Sequence, residues 1–109
     1  MKKTVFMSLI FILVLGMIIS ASAQKASSQN VGEAKFKELC SMCHPDGGNI
    51  VNPKKTLHKK DREANNIKTE SDIIKLMRHP GPGMTTFDEK TVPDKTAGEI
   101  AKYVLVTFK

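Results

Sequence analysis

The chain holds 109 residues and carries 17 Lys and Arg against 11 Asp and Glu, a formal net charge of +6 at neutral pH. That length allows one small domain. The charge is modest, there is no arginine-rich stripe, and aromatics make up only 6% of the residues. Nucleic-acid binding calls for a concentrated basic face with stacking side chains, so that class is set aside.

Lys2 and Lys3 precede an apolar run from Val5 to Ile19, and Ala21-Ser22-Ala23 follows. A short basic region, an apolar core of ~7–15 residues and a small-x-small site make a secretory signal peptide. Residues 1–23 are therefore expected to be removed after Ala23. The run, with Gly16 and Ser20 near its end, falls short of the ~20 apolar residues of a spanning helix, and no Cys near the cleavage site offers a lipid anchor. Residues 24–30 read as a flexible, polar lead-in and 31–109 as the folded domain. Export to the bacterial periplasm follows, with no stable membrane insertion once the signal is gone.

Asn30 reads as the cap of a helix from about Val31 to Cys40, with Val31, Ala34, Phe36 and Leu39 at roughly helical spacing and Glu33 near the positive end. Pro45-Asp46-Gly47-Gly48 breaks it. From Asn49 to Asn66 the chain is polar, with Lys54, Lys55, Lys59, Lys60 and Arg62 in a basic run. A short helix is expected between Pro53 and Glu63, without a pattern to place it. Thr69-Glu70-Ser71-Asp72 resembles a capping box with Asp in the reciprocal position. It opens a helix carrying Ile73, Ile74, Leu76 and Met77 that ends before Pro80. His79-Pro80-Gly81-Pro82-Gly83 is a loop. Asp94 or Thr96 then caps a last helix whose apolar stripe is Ile100, Ala101, Val104, Leu105 and Phe108. Strand signals are almost absent. The fold class is all-α, with three main helices and long loops.

A domain this small buries little apolar surface, and such chains use disulfides or metals as staples. The only two cysteines fall in Cys40-Ser41-Met42-Cys43-His44, where a disulfide would close a tiny loop and join nothing distant. Long loops in a compact domain usually signal function, and wrapping a flat cofactor accounts for these. Cys-x-x-Cys-His is the attachment signature of a c-type haem. Its thiols form thioethers with the haem vinyl groups, and the following His44 is placed to ligate the iron. Thiol-disulfide exchange would put the motif at a helix start after a strand, and zinc would need two further ligands, for which His58 and His79 show no pairing.

The ligand on the other side of the iron separates electron transfer from small-molecule chemistry. Met42 lies inside the attachment loop. Met77 suits the core of its helix, His58 sits among lysines, and His79 favours the negative end of a helix. Met84 follows Gly81-Pro82-Gly83, a segment with little side-chain bulk, and Phe87 offers an apolar wall. The pattern favours Met84, with His79 and an open position as the alternatives. The His44 ring is expected to donate its other nitrogen to a backbone carbonyl, with the Asn52-Pro53 region the candidate.

These residues resemble the class I monohaem cytochromes c, in particular the cytochrome c6-like branch. The resemblance runs through Gly32-x-x-x-Phe36, Gly47-Gly48-Asn49 with Val51 and Lys55-Thr56-Leu57, Met84-x-x-Phe87, and Ile100-Ala101-x-Tyr103-Val104. It departs at Thr85, where the family commonly has Pro, and in the proline-rich Pro80-Gly81-Pro82-Gly83. It implies the class I fold wrapped around one covalently attached haem c, with the terminal helices crossing where Gly32 and Phe36 meet Tyr103. Together the readings make Cys40, Cys43, His44 and Met84 the haem-binding residues, with His44 and Met84 on the iron. The implied function is a monomeric, non-enzymatic shuttle of single electrons between redox protein partners. The basic run would steer an acidic partner, and Arg62 or Lys55 could instead pair with a haem propionate. The alternative is a haem sensor or small-molecule enzyme whose Met ligand dissociates.

Overall fold

The computed structural model describes residues 27–109. The expected signal segment and residues 24–26 of the lead-in lie outside these. Helix α1 covers residues 27–39, α2 Lys59–Ala64, α3 Glu70–Arg78 and α4 Asp94–Thr107, with one turn of 3-10 helix at Pro45–Gly47. Among the described residues there is no strand. The all-α expectation holds, and the short helix that could not be placed is α2.

Helix α1 already runs through residues 27–30, so Asn30 lies inside it and caps nothing. Polar residues on a solvent-facing turn extend a helix at little cost in propensity, which makes a side-chain cap optional there. Its buried face is Gly32 and Phe36 with Leu39 half-buried, at i, i+4 and i+7, whereas Val31 is 40% exposed and Ala34 faces solvent.

The α1 face crosses α4. A Cβ on Gly32 would come within 2.8 Å of the Glu99 carbonyl carbon and 3.1 Å of Tyr103 Cβ, so only glycine permits the approach. Phe36 meets Tyr103 and Phe108 with both ring centroids at 5.3 Å, in the tilted geometry that aromatic quadrupoles favour. Helix α4 turns Ala97, Ile100, Ala101 and Val104 inward, a stripe at helical spacing.

Helix α3 packs on α4 through Ile73 and Met77. It starts with the expected capping box: Asp72 N–H donates to Thr69 Oγ1 at 3.2 Å, and Asp72 Oδ2 accepts from Thr69 N–H at 2.8 Å. Helix α4 has no side-chain cap. Pro93 occupies the cap position, and Asp94 is the first helical residue. The Asp94 carboxylate is drawn to Arg78 instead, at 2.7 Å.

The stretch from Pro45 to Asn66 is held chiefly by hydrogen bonds. Leu57 N–H donates to the Gly47 carbonyl at 2.7 Å, and Lys59 N–H donates to the Phe108 carbonyl at 3.1 Å. The C-terminal turn of the chain thereby fastens the start of α2.

Candidate functional site

A cavity of about 370 Å³ opens between these elements. Its apolar walls include Phe36, Leu57, Ile67, Ile73, Phe87 and Ile100, drawn from every helix or its flanks. Cys40, Cys43, His44 and Met84 all line it. The structure thus brings four residues separated by up to 44 positions in the chain to one cavity.

The attachment motif sits where α1 ends. Cys40 N–H still donates to the Phe36 carbonyl at 2.8 Å, and His44 N–H donates to the Cys40 carbonyl at 2.9 Å, so the five residues wind as one further turn. Cys40 is half-buried and Cys43 exposed. Burial pushes the Cys40 thiol up to about 11, because a thiolate is penalised when desolvated. Met42, inside the motif, points outward and is 86% exposed.

His44 Nδ1 lies 2.8 Å from the Gly48 carbonyl oxygen. A carbonyl only accepts, so Nδ1 carries a proton, and in the neutral ring Nε2 is the nitrogen with the lone pair. The expected backbone acceptor exists, but it is Gly48 rather than the Asn52-Pro53 region. The tight turn at Pro45–Gly47 returns the chain to the ring within four residues. Asn49 braces the next turn: its Oδ1 accepts from Val51 N–H and Asn52 N–H, both at 2.9 Å.

Of the candidates for a second ligand, Met77 and Met84 line this cavity. Met77 is 4% exposed and packed in the α3–α4 core. Met84 is half-buried at the end of the Gly- and Pro-rich loop. His79 is exposed at the C-terminal end of α3 and borders a separate, shallower depression. His58 is exposed with its ring edge against Phe108, centroids 5.8 Å apart. Among the described residues no three His, Cys, Asp or Glu side chains converge as a metal cluster.

Arg62 departs from its expected place in an exposed basic run. It is 4% exposed, the one buried charged residue of the described chain. Its Nε donates to the Leu57 carbonyl at 2.7 Å and its Nη2 to the Phe108 carbonyl at 3.4 Å. Both partners are neutral, and Arg62 also lines the cavity. Charge alone could not distinguish it from its lysine neighbours. Burial follows from α2 docking on the C-terminal turn, which is not legible locally.

Comparisons with known proteins agree with this geometry. A family model described as cytochrome C oxidase, cbb3-type, subunit III matches residues 27–104. Cytochrome c6 of Rippkaea orientalis is 33% identical over 100 residues, covering 91% of this chain and 89% of that protein. The chain belongs to the class I monohaem cytochromes c, in the cytochrome c6-like branch. Cytochrome c6 of Cyanidium caldarium is 36% identical over 74 residues, and the match spans 68% of this chain and 66% of that relative's length. The structure of OmcF, outer membrane cytochrome F of Geobacter sulfurreducens, superposes with a TM-score of 0.70 at 45% identity, covering 72% of this chain and 99% of that one.

As a class I cytochrome c the chain carries one covalently attached haem c. Its own residues fit that group. Two thiols, an imidazole with a free Nε2 and a thioether border one apolar cavity. The buried Arg62 guanidinium, which among the described residues hydrogen-bonds only to the Leu57 and Phe108 carbonyls, borders it too, and a buried cation is costly unless an anion is near.

Proposed function

We propose that the chain is an exported, periplasmic carrier of single electrons, with haem c joined through Cys40 and Cys43 and its iron ligated by His44 and Met84. The observation that carries this reading is the convergence of His44 and Met84 on one apolar cavity beside the two cysteines. When bound, the group would supply one-electron exchange between ferrous and ferric iron, with His44 and Met84 as the residues that would hold the iron, and a thioether ligand would raise its potential.

The protein's own part is orientation and exclusion. The Gly48 carbonyl keeps the proton on His44 Nδ1 and so presents Nε2 for ligation. Phe36, Ile73, Phe87 and Ile100 give the cavity apolar walls, which lower the local dielectric. Arg62, fastened by Leu57 and Phe108, offers its remaining N–H groups to a propionate. Lys54, Lys55, Lys59 and Lys60 are all exposed and form the face that steers an acidic redox partner into a small, short-lived contact.

A carrier with both iron positions filled binds no small ligand, whereas a sensor or enzyme does. Purified ferrous holoprotein is to be mixed with carbon monoxide at neutral pH. An unchanged visible spectrum, with the Met84→Ala variant binding the gas, supports the carrier. Rapid binding by the unaltered protein contradicts it.

A further inference from the structure

Residues 79–93 join α3 to α4 without regular structure, and Met84 lies near their middle. Gly81, Pro82, Gly83, Thr85 and Thr86 are all exposed, so side-chain burial does not hold the stretch on either side of Met84. Upstream support is thin: Met84 N–H reaches the Gly81 carbonyl only at 3.4 Å, beyond the usual range for a good hydrogen bond.

What holds this stretch is three residues further on. Phe87 N–H donates to the Met77 carbonyl at 2.9 Å. The Phe87 carbonyl accepts from Arg78 Nη1, also at 2.9 Å. Both contacts come from the last turn of α3, so Phe87 is gripped on its two backbone sides by one helix end. The other nitrogen of the same guanidinium, Nη2, donates to Asp94 Oδ1 at 2.7 Å, at the first residue of α4. The Arg78 side chain is only 14% exposed, against 74% for Asp94. The contact to the Phe87 carbonyl is the part-buried one of the two, and such a charge-assisted hydrogen bond is worth more than a surface ion pair. Between the two anchors the chain is closed by Asp88, whose Oδ1 accepts from Thr91 N–H at 2.8 Å and whose carbonyl accepts from Val92 N–H at 2.9 Å. Val92 is fully buried. One planar fork therefore ties the end of α3, the Met84 segment and the start of α4.

We propose that Arg78 is a positioning residue for Met84: by spanning the Phe87 carbonyl and the Asp94 carboxylate, it holds the 80–87 segment so that the Met84 side chain stays at the cavity. The proposal rests on the reading of Met84 as an iron ligand. Arginine is needed because two acceptors in different elements are met by two nitrogens of one rigid plane. A lysine ammonium is a single point of charge and cannot reproduce that fork.

The test uses ferric holoprotein and imidazole, which competes with a methionine thioether for iron. Imidazole affinity is to be measured for the unaltered protein and for Arg78→Gln, Arg78→Lys, Asp94→Asn and Met84→Ala, alongside hydrogen exchange of the 84–87 backbone. Arg78→Gln is expected to bind imidazole roughly tenfold more tightly, the scale of one lost charged hydrogen bond. Arg78→Lys should fall between it and the unaltered protein, and exchange should accelerate at 84–87 with α1 and α4 unaffected. A variant that lowers only the melting temperature, with imidazole affinity unchanged, overturns the positioning role while Met84→Ala still reports the ligand. If Met84→Ala itself leaves imidazole affinity unchanged, the ligand reading fails and the proposal with it. Should Arg78→Gln not fold, Arg78→Lys and Asp94→Asn decide by the same comparison.

Discussion

Helices α1, α3 and α4 form one wall of the cavity, and the stretch from Pro45 to Asn66 forms another. The first is held by interdigitated side chains: Ala97 and Ala101 are fully buried, and Phe36, Ile100 and Val104 nearly so. In the second, Arg62 is the one fully buried side chain, and its hold comes from hydrogen bonds to the Gly47, Leu57 and Phe108 carbonyls. A packed wall tolerates little change in volume. A hydrogen-bonded wall is sensitive instead to the loss of a donor, because a desolvated carbonyl without a partner is costly. On the reading proposed above, the cofactor would lie between them: Cys40 and Cys43 line the cavity where α1 ends, and Leu57 and Arg62 line it from the second wall.

The largest effect is expected where two backbones touch. Gly32→Val would force the α1–α4 crossing apart and cost about 3 kcal/mol, the scale of overpacking, despite a small gain in helix propensity. For a chain of this size that is a fall in Tm of roughly 12–24 °C, readable by circular dichroism. An unchanged Tm would break the claim that the first wall rests on close approach.

Arg62→Met tests the second wall. It keeps the volume and removes the donor to Leu57, so a loss of about 2 kcal/mol is expected, within the range for charged hydrogen bonds. Limited proteolysis should then cut first between residues 49 and 66. If stability is unchanged, that wall is held by packing after all.

Thr69→Ala removes the side-chain cap of α3 and should cost about 1 kcal/mol, a smaller drop in Tm by the same measurement. The smallest effect concerns acid. Backbone N–H groups of Lys68 and Thr69 hold the Asp72 carboxyl below its ordinary 3.8, and that of Thr91 does the same for Asp88. A carboxylate favoured by folding adds stability above its unfolded value and loses it as pH falls through the folded one. Tm should therefore decline below about pH 4, and less steeply in Asp72→Asn and Asp88→Asn.

The sequence was legible where the cause is local. The Thr69–Asp72 box spans four residues and reads directly, and the Cys40 to His44 motif carries its chemistry in five. The Gly32–Tyr103 contact was expected only through family resemblance, since nothing in either residue names the other. The acceptor for His44 was misplaced at Asn52-Pro53 because the left-handed Asp46 and Gly47 turn, with φ of 51° and 77°, folds the chain back sooner to Gly48. Asp94 looked like a helix cap because its pull towards Arg78, 16 positions away, leaves no local mark. Arg62 looked exposed for the same reason, its acceptor at Phe108 lying 46 positions on.

Ligation of the iron by His44 and Met84 is tested most directly by the far-red methionine-to-iron charge-transfer band of the ferric holoprotein at neutral pH. The band is expected in the unaltered protein, absent in Met84→Ala and retained in His79→Ala. A band missing from the unaltered protein, or surviving in Met84→Ala, would contradict the ligation of iron by His44 and Met84.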